Sequence, residues 1–166
     1  MRSAVLFVAA AVVGLSLAPG CGDDDCVSGE ARCEQTCGDD CDLECRDHED
    51  CDVTCGDDCV SACESVTNCE VDCGEGCDAT CRSLSSCNVT CGAGCNFVCE
   101  SANNCAPTLG DGATAICNSV ANCNVSCTGT CAVRCTSTGN CNVNCAMGAA
   151  ASCEDGRIAC GDGCQL

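Results

Sequence analysis

The sequence predicts an all-β protein, a small disulfide-rich parallel β-solenoid of about seven coils of 18 residues, and three observations predict it. The first is a period. From Cys33 onward cysteine returns at intervals of four, four, four and six residues. Cys33, Cys51, Cys69, Cys87, Cys105, Cys123 and Cys141 open successive units, and Cys45, Cys63, Cys81, Cys99, Cys117, Cys135 and Cys153 stand at the thirteenth position of each. A fixed period of this size marks a stack of small units, each burying its apolar face on its neighbours. The second observation is parity. All spacings are even, so in an extended chain every cysteine projects from one face. Val53, Val71, Val89, Val125 and Val143 share that face at position three, between polar neighbours such as Asp52 and Thr54. The third is turn chemistry: Gly38, Gly56, Gly74, Gly92 and Gly110 recur at position six, followed in most units by Asp, Glu or Gly.

Each unit then reads in order. Cys-polar-Val-polar-Cys is a strand buried on one side. The glycine turn follows. A second, weaker strand carries Leu43, Ser61, Ala79, Phe97, Ala115, Val133 and Ala151 inward, a mostly small column suited to a narrow interior. The closing corner holds a serine column from Ser65 to Ser137 and an asparagine column, Asn68, Asn104, Asn122 and Asn140, whose side chains are expected to hydrogen-bond from coil to coil. At roughly 4.8 Å per coil the rod would be on the order of 34 Å long. The four-residue spacing also fits one helical face, so short disulfide-stapled helical hairpins are the alternative fold; glycine at position six and valine at position three disfavour it.

Composition requires cross-links. The 166 residues include 29 Cys and 18 Gly but two Phe, no Trp and no Tyr, so the large aromatic side chains that supply much of an ordinary core are nearly absent. Cysteine at this density marks a disulfide scaffold made in an oxidising compartment. Positions five and nine hold Cys37 and Cys41, Cys55 and Cys59, Cys73 and Cys77, Cys91 and Cys95, and Cys127 and Cys131. Unit five lacks both together, with Leu109 and Ala113 in their places, which suggests that the two positions pair with each other across the turn. The opening and thirteenth cysteines can pair within a unit, or the thirteenth can pair with the opening cysteine of the next; the second scheme accounts for more and gives Cys45 with Cys51, Cys63 with Cys69, Cys81 with Cys87, Cys99 with Cys105, Cys117 with Cys123 and Cys135 with Cys141. The scheme extends to Cys26 with Cys33 and Cys153 with Cys160, leaving Cys145 for Cys164. Setting Cys21 aside leaves 28 cysteines, an even number.

The first twenty residues read as a signal peptide, with Arg2 as the positive start and an apolar run from Ala4 to Leu17 that is short for a bilayer span. Cleavage after Gly20 would leave Cys21 at the new N-terminus. The stretch Leu17-Ala18-Pro19-Gly20-Cys21, followed by Gly22 and an Asp run, resembles the N-terminus of predicted bacterial lipoproteins; the likeness covers only these few residues. It implies lipid on Cys21 and attachment to the cell envelope, facing periplasm or exterior, with an ordinary secreted protein as the alternative. The expected organisation is a signal peptide over 1–20, an acidic tether over 21–32, the repeat over 33–158 and a C-terminal cap over 159–166.

Function is less legible. The net charge is -19 and all six basic residues are Arg, which argues against nucleic acid as a partner. No two cysteines stand two residues apart, so the redox, zinc-knuckle and haem motifs of that spacing are missing. His48 is the single histidine and reads as a solvated corner residue. With no Lys, Tyr or second His there is little acid-base equipment beyond carboxylates, and an enzyme is not expected. Twenty of the 25 acidic residues lie between Asp23 and Asp78. Asp39, Asp40, Asp57, Asp58 and Glu75 fall in successive turns, where they would stack into a carboxylate ridge; they are candidate calcium ligands, set against a plain solubilising face. The expectation is a non-enzymatic structural or surface-interaction module, bound to the membrane through Cys21 and meeting an unknown surface or protein partner. A metallothionein-like metal-thiolate protein and a calcium-dependent adhesion module are the alternatives.

Overall fold

The structure, a computed structural model, describes residues 30–166. Expectations for the signal peptide, the tether up to residue 29, Cys21 and Cys26 lie outside the described residues. The odd-numbered strands β1 (Arg32–Thr36), β3 (Asp50–Thr54), β5 (Asn68–Cys73), β7 (Ser86–Cys91), β9 (Asn104–Leu109), β11 (Asn122–Cys127) and β13 (Asn140–Cys145) form one parallel sheet in that order. The even-numbered strands β2 (Asp42–Arg46), β4 (Val60–Glu64), β6 (Asp78–Arg82), β8 (Asn96–Glu100), β10 (Ala113–Asn118) and β12 (Cys131–Thr136) form the parallel part of a second. The chain is therefore an all-β parallel solenoid. Its register is the sequence period: Cys33 pairs with Cys51, Cys51 with Cys69 and Cys69 with Cys87.

The interior is narrow and lies between the two sheets. Every strand from β1 to β8 alternates buried and partly or fully exposed residues, as one-sided burial requires. Phe97, 1% exposed, sits in register between Ala79 and Ala115 on the neighbouring coils, so two alanines make room for one ring. Leu109 and Ala113 fill the places of a cysteine pair with apolar carbon and are fully buried.

Both corners use the left-handed backbone region. Asp47, Ser65, Ser83, Ser101, Ser119 and Ser137 turn the chain from the second sheet into the next coil, each at φ between 53 and 61°. Asp40, Asp58, Gly76, Gly94 and Gly112 do so at the other corner. Position six is glycine for a different reason: backbones of successive coils touch there, Gly92 N–H donating to Gly74 O at 2.9 Å and a Cβ on Gly110 falling 2.4 Å from the Gly92 carbonyl. Beneath the serine corner runs a buried column that was not among the expected inward positions: Val66, Leu84, Ala102 and Val120. The asparagine column does link coils, Asn122 donating to Asn104 Oδ1 at 3.0 Å and Asn140 to Asn122 Oδ1 at 2.9 Å.

The seventh coil departs from the period. Instead of a parallel strand beside β12, residues after β13 form β14 (Ala151–Ser152) and β15 (Ile158–Cys160), with β15 antiparallel to both β12 and β14. Six parallel steps, not seven complete coils, separate the ends of the first sheet. Ala151, expected inward, is exposed. The cap thus begins well before residue 159. It covers the open edge of β12, which would otherwise offer unpaired backbone groups, and it buries Ala132 on what is elsewhere the outer side. Arg157 ties it down by donating to the carbonyls of Leu166 and Cys164 at 2.7 and 3.2 Å.

Candidate functional site

The disulfides define the site by their pattern. All six corner links from Cys45/Cys51 to Cys135/Cys141 are present, with Cα separations of 6.2 to 6.6 Å, inside the range a disulfide spans. Two in-turn links are present, Cys37/Cys41 and Cys127/Cys131. Cys33 is also in a disulfide. At the cap the expected pairing is exchanged: Cys145 bonds Cys160 and Cys153 bonds Cys164. The antiparallel turn of β15 is the reason, because it carries Cys160 back over β13 and leaves Cys153 to the 3-10 turn Gly163–Gln165.

The larger correction concerns three neighbouring coils. Cys55, Cys59, Cys73, Cys77, Cys91 and Cys95, expected as three in-turn disulfides, are all unpaired and all buried. The strand ends that hold them are in register, Cys73 opposite Cys91. Within each coil the glycine turn brings positions five and nine together, and stacking brings them onto their counterparts above and below. The middle coil divides its two cysteines. Cys77 leans toward the coil before it, its Sγ accepting the Cys59 N–H at 3.4 Å, while Cys73 leans toward the coil after, its Sγ 2.8 Å from that of Cys91. The sulfurs of Cys55, Cys59 and Cys77 lie within 4.8 Å of one another, as do those of Cys73, Cys91 and Cys95. Six thiols thus make two three-sulfur groups joined through one coil.

The stack is closed at both ends. On one side stands the Cys37/Cys41 disulfide, and on the other Leu109, in register above Cys91, with Ala113 beside it. The remaining thiol hydrogens are directed to glycine carbonyls: Cys59 donates to Gly38 O at 3.4 Å, Cys77 to Gly56 O at 3.3 Å and Cys95 to Gly74 O at 3.2 Å. These contacts hold the thiol hydrogens of Cys59, Cys77 and Cys95 in place. Burial pushes the thiols of Cys77 and Cys95 up to about 11. Cys55 is raised by burial first and then by its hydrogen bond with Cys59; Cys73 is raised by its hydrogen bond with Cys91 first and then by burial. At neutral pH the Cys55, Cys73, Cys77 and Cys95 thiols are therefore uncharged soft donors of low reactivity.

The candidate calcium ligands lie just outside the same turns. Asp39, Asp40, Asp57, Asp58 and Glu75 are exposed, and two of them already serve the coil stacking: Asp39 Oδ1 accepts the Asp57 N–H at 2.9 Å and Asp57 Oδ1 the Glu75 N–H at 2.8 Å. Asp111 repeats the motif with Thr130 N–H at 2.7 Å. His48 sits at the opposite corner, with one ring nitrogen 2.8 Å from Glu30 O and no thiol recorded as its partner among the described residues. No protein-family model, curated protein or solved structure matches the chain.

The thiol stack was half legible in the sequence. Its residues were identified as one set of equivalent positions, but their redox state was not, because position alone does not distinguish Cys55 and Cys59 from the bonded Cys37 and Cys41.

Proposed function

We propose that the protein is an exported, non-enzymatic rod, anchored through lipid on Cys21, that acts at the cell surface or in the envelope as a structural or surface-interaction module. The observation that carries this reading is the ladder of disulfides along a continuous solenoid, ten of them with both cysteines among the described residues. Disulfides at this density suit an oxidising extracellular or envelope environment and not the cytosol. Among the described residues no helix is long and apolar enough to cross a membrane. The outer faces are regular columns of polar side chains, such as Asn124 and Asn142 joined at 2.9 Å, which is how stacked repeats present extended surfaces to partners.

Cell fractionation with intact mass spectrometry tests the reading. The native chain should begin at Cys21, carry acyl mass there and sediment with membranes, and Cys21→Ser should move it to the soluble fraction. An unacylated Cys21, or a Cys21 found in a disulfide, would contradict it.

A further inference from the structure

We propose that Cys55, Cys59, Cys73, Cys77, Cys91 and Cys95 form a binding site for copper(I), held as one thiolate cluster inside the rod. The reading is independent of lipid attachment or of any surface partner. The donor set is sulfur alone, which selects soft, thiophilic ions. Its grouping is by threes, within 4.8 Å in each group. Zinc in structural sites almost always takes four tetrahedral ligands, whereas a three-sulfur group suits a d10 monovalent ion.

Charge decides between separate ions and a cluster. Each thiol that ligates copper(I) releases its proton, so one copper held by three sulfurs displaces about three protons and about four Cu⁺ shared over six thiols displace about six, with no change of oxidation state. Among the described residues no basic side chain is buried to offset leftover negative charge. One ion in each fully deprotonated group would leave about four negative charges inside the rod, which a dry interior does not tolerate; about four ions shared over six thiolates would leave about two. The middle coil makes sharing feasible, since Cys73 belongs to one group and Cys77 to the other.

Two further features fit. The exposed carboxylates Asp39, Asp57 and Glu75 lie on the turns that join the cysteines, so cations are concentrated where they must enter. Leu109, Ala113 and the Cys37/Cys41 disulfide close the ends of the stack against water.

The test uses the exported chain, purified without reductant and handled anaerobically. Copper(I) is supplied as its acetonitrile complex and then challenged with a chromophoric copper(I) chelator, while native mass spectrometry counts bound ions and peptide mapping follows the disulfides. The expected result is copper retained against the chelator, with the disulfides unchanged. Cys73→Leu/Cys77→Ala copies the pair that nature places at Leu109 and Ala113, removes one donor from each group and should abolish retention. If that variant fails to show a sheet-type dichroism spectrum, Cys91→Leu/Cys95→Ala, adjoining Leu109 itself, replaces it. Complete transfer of copper to the chelator, equal retention by a folded variant, zinc held in preference to copper, or native protein with these six cysteines already in three disulfides would each overturn the proposal.

Discussion

The sulfur atoms of Cys73 and Cys91 lie 2.8 Å apart on adjacent coils, and neither belongs to a disulfide. Oxidised links stand before and after them in the same column, at Cys37/Cys41 and Cys127/Cys131. A rod built on disulfides therefore keeps a reduced segment inside. Its six thiols are buried, so iodoacetamide at neutral pH should leave them unmodified in the folded protein and label all six once the chain is unfolded in denaturant without reductant. Mass spectrometry reads both numbers; rapid labelling of the native chain would contradict the burial.

Phe97 is the one large aromatic in the described core, and its room is made by Ala79 and Ala115. Phe97→Ala should cost about 3–5 kcal/mol, because disulfide-tied coils on either side cannot collapse into the space. Denaturant unfolding measures it, and a loss below about 1 kcal/mol would mean that the ring contributes little packing.

Two glycines separate two kinds of constraint. Gly94 has φ +71° and open space where a Cβ would go, so Gly94→Ala should cost only the left-handed strain, roughly 1–2 kcal/mol. At Gly110 the added carbon would lie 2.4 Å from the Gly92 backbone, so Gly110→Ala must push two coils apart and should be clearly the more damaging. Equal effects in thermal unfolding would contradict coil contact at this position.

Asp111 accepts the Thr130 N–H, and that hydrogen bond holds its carboxyl below the usual aspartate range. The sign follows from linkage: a depressed folded pKa stabilises above the unfolded value, and that contribution is lost as pH falls through the lower, folded one. A wild-type melting series into acid should show this loss, and Asp111→Asn, whose amide oxygen can still accept the bond, should not show it. Parallel curves for the two proteins would contradict the assignment.

How much of this was legible in the sequence depended on the residue. The period set the register, because Cys33, Cys51 and Cys69 recur at one spacing and a parallel stack must align equal positions. Val66, Leu84, Ala102 and Val120 were missed under the serine corner because Ser65 and its equivalents adopt the left-handed region, which reverses the face of the next residue and breaks the alternation used to assign inward positions. The cap pairing was exchanged for a topological reason: nothing in the spacing of Cys153, Cys160 and Cys164 announces that β15 runs antiparallel. The thiol state of Cys55 through Cys95 was hidden because equivalent positions carry both outcomes.

The account rests on covalent links replacing an aromatic core. Each corner disulfide closes a loop worth about 2 kcal/mol of chain entropy, so six together are on the order of 10 kcal/mol, comparable with the whole net stability of an ordinary domain. The direct measurement is far-ultraviolet circular dichroism of the protein fully reduced, with its thiols blocked, in buffer without denaturant. The account predicts loss of the sheet spectrum and of any cooperative thermal transition. A reduced, blocked chain that keeps the sheet spectrum and melts at the same temperature as the oxidised protein would contradict it.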